Sequence, residues 1–245
     1  MSIYTHIVSK IENGRKQLAV LIDPDKVSGV EVGRMAEISQ TCGVDYFFIG
    51  GSLLTNDNLD CCIENLRKHS SIPVVLFPGN TLQINAKADA ILFLSLISGR
   101  NPEMLIGKHV VAAPYLRASM LEVIPTGYML IESGKPTTAL YMSNSTPIPS
   151  DKDDIAVCTA LAGEMLGLKL IYADAGSGAE RTVTPSMIRN LKKNISIPLI
   201  IGGGIRSAAK AKEIYDAGAD IIVIGNAIEK NSRLISDIRE AGNAL

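Results

Sequence analysis

Five short stretches carry residue types that do chemistry, and each follows an apolar run. They are Asp23-Pro24-Asp25-Lys26, Gly50-Gly51-Ser52, Tyr172-Ala173-Asp174-Ala175-Gly176-Ser177-Gly178, Gly202-Gly203-Gly204 and Gly225-Asn226. Glycine has no Cβ, so its backbone N–H groups can close on an anion, and a helix N-terminus behind such a loop favours negative charge. Gly203 and Gly204 can present N–H groups in this way. Ser177 adds a hydroxyl and Asn226 an amide. The ligand that fits this set is a phosphate group.

The carboxylates ask for different work. Asp23 and Asp25 can be a capping turn. They can also be a Mg²⁺ site, because hard cations take carboxylate and hydroxyl oxygens. Asp23 with Ser52, each closing one of two neighbouring runs, would hold Mg²⁺ while a substrate diphosphate and water complete its shell. Asp174 lies beside the expected phosphate, where its charge is repelled. A general base that takes a proton from a hydroxyl nucleophile gives it a role, with Tyr172 orienting it or holding a substrate hydroxyl. The alternative is a carboxylate that ties down nearby N–H groups. His6, His69 and His109 lie away from these stretches and read as surface or structural. No Ser-His-Asp or Cys-His arrangement emerges.

The elements that must position these residues are legible. Apolar runs at 17–22, 45–50, 73–77, 89–94, 127–132, 169–174, 198–202 and 220–224 read as strands. They are continuous rather than alternating, as in parallel strands covered on both faces. Amphipathic segments at 29–40, 57–68, 153–167, 185–193, 207–217 and 231–241 read as helices. Thr184-Pro185 and Ser207 are start signals, and Gly218 is a stop. Strands alternating with helices predict a (β/α)₈ TIM barrel, a single domain over residues 1–245. An open doubly wound sheet is the runner-up, but no GxGxxG follows the first strand. In such barrels the site lies at the C-terminal strand ends, with a phosphate site after strands seven and eight. Residues 108–126 and 133–150 exceed ordinary loops, and are expected to cap the mouth or to form an interface.

Composition narrows the function classes. The 245 residues are 47% hydrophobic and only 4% aromatic, with no Trp, so aliphatic packing is expected to dominate. A net charge of −1, from 24 basic and 25 acidic residues, argues against a nucleic-acid partner. Cys42, Cys61, Cys62 and Cys158 show no CxxC spacing, which argues against zinc and redox motifs. They read as free thiols of a cytoplasmic protein. No secretory h-region and no long apolar span is apparent.

Taken together, "LIDPDK", "GGS", "YADAGSG", "IIGGGIRS" and "VIGNAIE" resemble the signatures of geranylgeranylglyceryl phosphate synthases, in order and across nearly the whole chain. The resemblance implies a TIM barrel without a redox cofactor. It implies transfer of a prenyl group, geranylgeranyl in the type reaction, from its diphosphate to the C3 hydroxyl of sn-glycerol 1-phosphate, with Mg²⁺, for ether-lipid synthesis. Carried over, Asp23 and Ser52 bind Mg²⁺. Tyr172, Ala173, Asp174, Ala175, Gly176, Ser177 and Gly178 hold glycerol phosphate with Gly203, Gly204, Gly225 and Asn226. It also implies a homo-oligomer, dimer or hexamer, with at most peripheral membrane contact through the lipid product. Many relatives have Lys where this chain has Leu21, and Glu where it has Asp174. Both differences resemble the family's second subgroup, to which heptaprenylglyceryl phosphate synthases are related. Residues 91–107, with small Ser95 and Ser98, are expected to line the prenyl groove. A phosphate-barrel isomerase, using Asp23 and Asp174 as opposed acid and base, is the competing class. A phosphometabolite sensor is the third.

Overall fold

Alternation along the strands decides which side chains reach the barrel axis. In QLAVLI, Leu18, Val20 and Ile22 pack outward, while Ala19 and Leu21 face inward. Continuing that alternation past the strand end turns Asp23 toward the axis. The computed structural model describes residues 2–225, 228 and 234–243. Among them, eight parallel strands close in chain order: β1 Gln17–Ile22, β2 Tyr46–Ile49, β3 Val74–Leu76, β4 Ala90–Leu96, β5 Glu122–Leu130, β6 Leu170–Asp174, β7 Leu199–Gly202 and β8 Ile221–Ile224. The helices are α1 Ile3–Glu12, α2 Gly29–Cys42, α3 Leu59–His69, α4 Lys108–Ser119, α5 Thr138–Ser143, α6 Asp153–Met165, α7 Pro185–Asn194, α8 Ala208–Asp216 and α9 Leu234–Asn243. The architecture is a (β/α)₈ barrel. No helix among the described residues is long and apolar enough to cross a membrane.

Local chemistry explains most boundaries. Thr184 and Ser207 cap α7 and α8 by accepting the N–H of Met187 and Lys210. Gly218, at φ +117, turns the chain into β8. Three features depart from the sequence reading. β5 begins at Glu122 rather than 127, because Glu122 and Pro125 disguise its start. The Glu122 carboxylate in turn accepts the N–H groups of Ile3 and Tyr4 and fixes the start of α1, a helix not anticipated. Residues 108–126 are not an extended loop: they form α4, entered through a π-helical turn at Glu103–Gly107, and then β5. Pro114 inside α4 is what disguised it, since proline usually ends a helix.

The barrel interior is richer in aromatics than the composition suggests. Tyr46, Phe48, Phe77, Tyr128 and Tyr172 make a chain of ring contacts, with Phe77 stacked on Tyr172 at 5.1 Å. Aliphatic packing dominates the outer layer between strands and helices. Between β3 and β4 that layer has no helix, and residues 77–89 cross as turns and loop. A gap in the outer ring follows, next to α4.

Candidate active site

β6 places its polar residues by register. Leu170, Tyr172 and Asp174 face inward, with Tyr128 beside Tyr172 and Gly202 beside Asp174 on the flanking strands. Asp174 is 7% exposed. Its Oδ2 accepts the Tyr128 hydroxyl at 2.6 Å, and its Oδ1 accepts the Gly176 N–H at 2.8 Å. Burial raises its pKa above the ordinary value, against the opposing pull of those two hydrogen bonds. A half-satisfied, desolvated carboxylate is a better base than a free one. Tyr172 stands deeper, and its hydroxyl passes over the end of β7: a Cβ on Gly202 would lie 2.4 Å from it.

The glycine loops meet side by side. Gly176, Gly178, Gly203 and Gly204 all adopt positive φ. A Cβ on Gly203 would stand 2.6 Å from the Gly176 nitrogen and 2.9 Å from the Ala175 Cβ, so the loops after β6 and β7 pack this closely because Gly203 lacks a side chain. Gly225 extends the arc from β8, while Asn226 lies outside the described residues. Backbone N–H groups brought together at adjacent strand ends can serve as an anion cradle.

On the opposite rim, Asp23 closes β1 and packs against Gly51, where a Cβ would lie 3.4 Å from its Oδ1. The following turn is fixed by Lys26 N–H donating to the Asp23 carbonyl and Asp25 N–H donating to Asp23 Oδ1. Lys26 Nζ lies 2.6 Å from Asp23 Oδ2. Asp25 Oδ2 accepts the N–H and hydroxyl of Thr55, which hold its carboxyl below the usual range. Among the described residues its Oδ1 is buried with no hydrogen-bond partner. No group of three or more His, Cys, Asp or Glu side chains gathers among the described residues. Hard oxygens, one of them orphaned, still suit a magnesium ion that draws its remaining ligands from phosphate and water.

One cavity of about 460 Å³ joins the Asp23 rim to Asp174 and Ser177. Asp23, Ser52, Asp174 and Ser177 are on its wall, whereas Tyr172, Gly203, Gly204 and Gly225 are not. From this polar end it runs past Phe77 and Tyr128 and out between β4 and α4, along Ile91, Phe93, Ala112 and Leu116. It fills the gap left by the missing helix. α5, in the long loop after β5, roofs it with Thr138, Ala139, Met142 and Ser143. Ser95 and Ser98 do not line it. Ser95 donates to the Leu105 carbonyl, and Ser98 accepts the Leu130 N–H.

The chain matches the PcrB family over residues 11–242. It belongs to that family. It is 54% identical to a geranylgeranylglyceryl phosphate synthase of Chitinophaga pinensis, over 99% of this chain and 96% of the relative. It is 39% identical to the enzyme of the same name from Korarchaeum cryptofilum, over 94% of this chain and 95% of that one. The crystal structure of the (S)-3-O-geranylgeranylglyceryl phosphate synthase of Thermoplasma acidophilum, in complex with sn-glycerol-1-phosphate, superposes with a TM-score of 0.95. The two chains are 33% identical and cover each other fully.

Within this PcrB-family barrel, several groups at the site escaped the sequence reading. Tyr128 is one; its signal was a tyrosine inside the apolar run preceding β6. Thr55 and Phe77 are others. His109 is not remote: it lines the cavity, packs on Phe93 at 4.2 Å, and donates from Nε2 to the Leu94 carbonyl.

The glycines differ as probes. Gly204→Val is confounded, because φ is +74 and a Cβ already meets Arg181 backbone at 3.2 Å. At Gly225 the nearest atom to a Cβ among the described residues is in Leu21, at an ordinary 3.6 Å. Gly225→Ala is therefore expected to fold normally. Its methyl is expected to block phosphate approach and to raise KM for glycerol phosphate roughly tenfold, the worth of one charge-assisted hydrogen bond. KM for the prenyl diphosphate should stay constant. Parallel kinetics and melting curves check this; an equal rise in both KM values would place the phosphate elsewhere.

Proposed function

We propose that this PcrB-family protein transfers a geranylgeranyl group from its diphosphate to the C3 hydroxyl of sn-glycerol 1-phosphate, with Mg²⁺, releasing diphosphate. The observation that carries this reading is a cavity that has both a carboxylate-lined polar end and a long apolar arm. A phosphate-barrel isomerase working on a small sugar phosphate has no use for that arm. Its required second acid or base, Asp23, is already ion-paired with Lys26.

The residues divide the work. Gly203, Gly204 and Gly225, with Ser177, hold the phosphate of glycerol phosphate, which leaves its far hydroxyl little freedom. Tyr128 fixes the Asp174 carboxylate, and Tyr172 backs the same wall. Asp174 takes the C3 hydroxyl proton as the glycerol oxygen bonds to the prenyl C1 and the C1–O bond to diphosphate breaks. Asp23 and Ser52, with the orphaned Asp25 oxygen nearby, are the residues that would hold Mg²⁺. When bound, the ion supplies charge neutralisation for the departing diphosphate. Ile91, Phe93, Ala112 and Leu116 bury the prenyl chain and exclude water from the reacting carbon.

A length series tests the arm. Binding of dimethylallyl, geranyl, farnesyl and geranylgeranyl diphosphates by calorimetry is expected to tighten with each added isoprene unit. The ceiling is about 0.8 kcal/mol per buried methylene. Equal affinity across the series would sink the assignment of the arm.

Self-association belongs to the same reading. Ile106, Val110, Val111 and Tyr115 leave an exposed apolar face on and just before α4. A second copy of the chain covers that face, in a cytoplasmic homo-oligomer that touches membranes at most through its product. Light scattering should give at least twice the 26.1 kDa of one chain. A strictly monomeric mass at micromolar concentration is the contrary result.

A further inference from the structure

Lys26 presents a conflict at the polar end of the cavity. Its ammonium sits 2.6 Å from Asp23 Oδ2, while Asp23 Oδ1 receives the Asp25 N–H. The ammonium therefore occupies one of the two Asp23 oxygens and the other already accepts an N–H, so a metal ion arriving at Asp23 meets the ammonium at close range. Two cations cannot share that position, because they would repel at contact distance. The lysine backbone is pinned by its bond to the Asp23 carbonyl, so only the side chain can yield. That side chain is about half exposed, lines the cavity, and ends a flexible four-carbon stem.

The charges around the cavity say where it goes. Asp23, Asp25 and Asp174 are on the wall, and a diphosphate entering alone meets three carboxylates. Two lysines also line the cavity, Lys26 at the polar end and Lys108 at the start of α4. We propose that Lys26 is an exchangeable counter-ion: it neutralises Asp23 in the free protein and turns to the substrate diphosphate when a metal ion replaces it. This rests on the metal assignment to Asp23 made above. The exchange makes the ion and the diphosphate bind as a pair. The ion alone must displace an ammonium that has nowhere better to go. The diphosphate gives that ammonium a partner, so each ligand strengthens the other.

Calorimetric titration with Mg²⁺, with and without inorganic diphosphate, tests this in wild type, Lys26→Met, Lys26→Arg and Asp23→Asn. Lys26→Met is expected to bind Mg²⁺ alone more tightly than wild type. It should also lose about fivefold or more of the enhancement that diphosphate gives, the lower end of ordinary coupling between sites. Lys26→Arg keeps the charge and should keep the enhancement. Lys26→Met with unchanged or weaker affinity for Mg²⁺ alone overturns the proposal, provided Asp23→Asn has lost the ion and circular dichroism shows all variants folded. If Asp23→Asn binds Mg²⁺ like wild type, the metal assignment itself fails, and the exchange with it.

Discussion

Asp174→Asn is expected to lower kcat by about 10²–10⁴-fold, the usual worth of a general base, while leaving the protein folded and more heat-resistant than wild type. The asparagine carbonyl can still accept the Gly176 N–H, and its amide can donate to the Tyr128 oxygen, so one hydrogen bond is kept and the other is replaced by one of reversed direction. What disappears is the capacity to take a proton. The gain in stability follows from the sign of the pKa shift. Burial raises the Asp174 pKa in the folded protein above 3.8, so the folded state holds that proton more tightly than the unfolded chain. The stability this contributes is complete below the unfolded pKa and is lost as pH rises through the folded one. Above that raised pKa wild type carries a desolvated charge that the amide lacks. The melting-temperature advantage of Asp174→Asn should therefore shrink as pH falls through the raised pKa. Wild-type kcat should decline over that same interval, and the variant should show no such limb. A drop smaller than about fivefold in kcat would move the base role from Asp174 to Tyr172 or water, given the range for proton transfer.

Asp23→Asn is the second large effect. The amide oxygen still accepts the Asp25 N–H, so the turn is kept. The negative charge that attracts a metal ion is gone. Altering groups that merely orient metal ligands costs 10–100-fold, so loss of a direct ligand should reduce kcat/KM by at least about 100-fold. High Mg²⁺ concentrations should recover part of the loss, because a weakened site fills at higher concentration. Wild type should be inactive in EDTA and recover on adding Mg²⁺. Full activity of Asp23→Asn in EDTA would falsify the metal assignment.

The barrel was legible because buried parallel strands are written as uninterrupted apolar runs, and each ends on a residue that cannot continue one. The candidate site was legible for a related reason: Asp23, Ser52 and Asp174 close or follow those runs at inward-facing parity, which turns polar side chains toward the barrel mouth, although Asp23 and Asp174 each also tie down a backbone N–H. The Asp174–Tyr128 bond was not legible, since it depends on the register of β5 against β6, which neither strand encodes alone. The apolar arm was hidden more deeply. It exists because a helix is missing between β3 and β4, and its walls come from strand faces and from α4, a helix masked by Pro114. Ser95 and Ser98 looked like spare room because their backbone partners lie on other segments. His109 looked peripheral because nothing in its neighbours shows that α4 lies over the arm.

The central claim is that one cavity brings a prenyl diphosphate and glycerol phosphate together for transfer. Incubation with radiolabelled sn-glycerol 1-phosphate, geranylgeranyl diphosphate and Mg²⁺ tests it most directly, with label extracted into organic solvent and diphosphate counted. One diphosphate released per labelled ether lipid formed, and neither product when either substrate is omitted, is the result expected. Diphosphate release without labelled lipid, or a sugar phosphate rearranged in the absence of any prenyl donor, would contradict it.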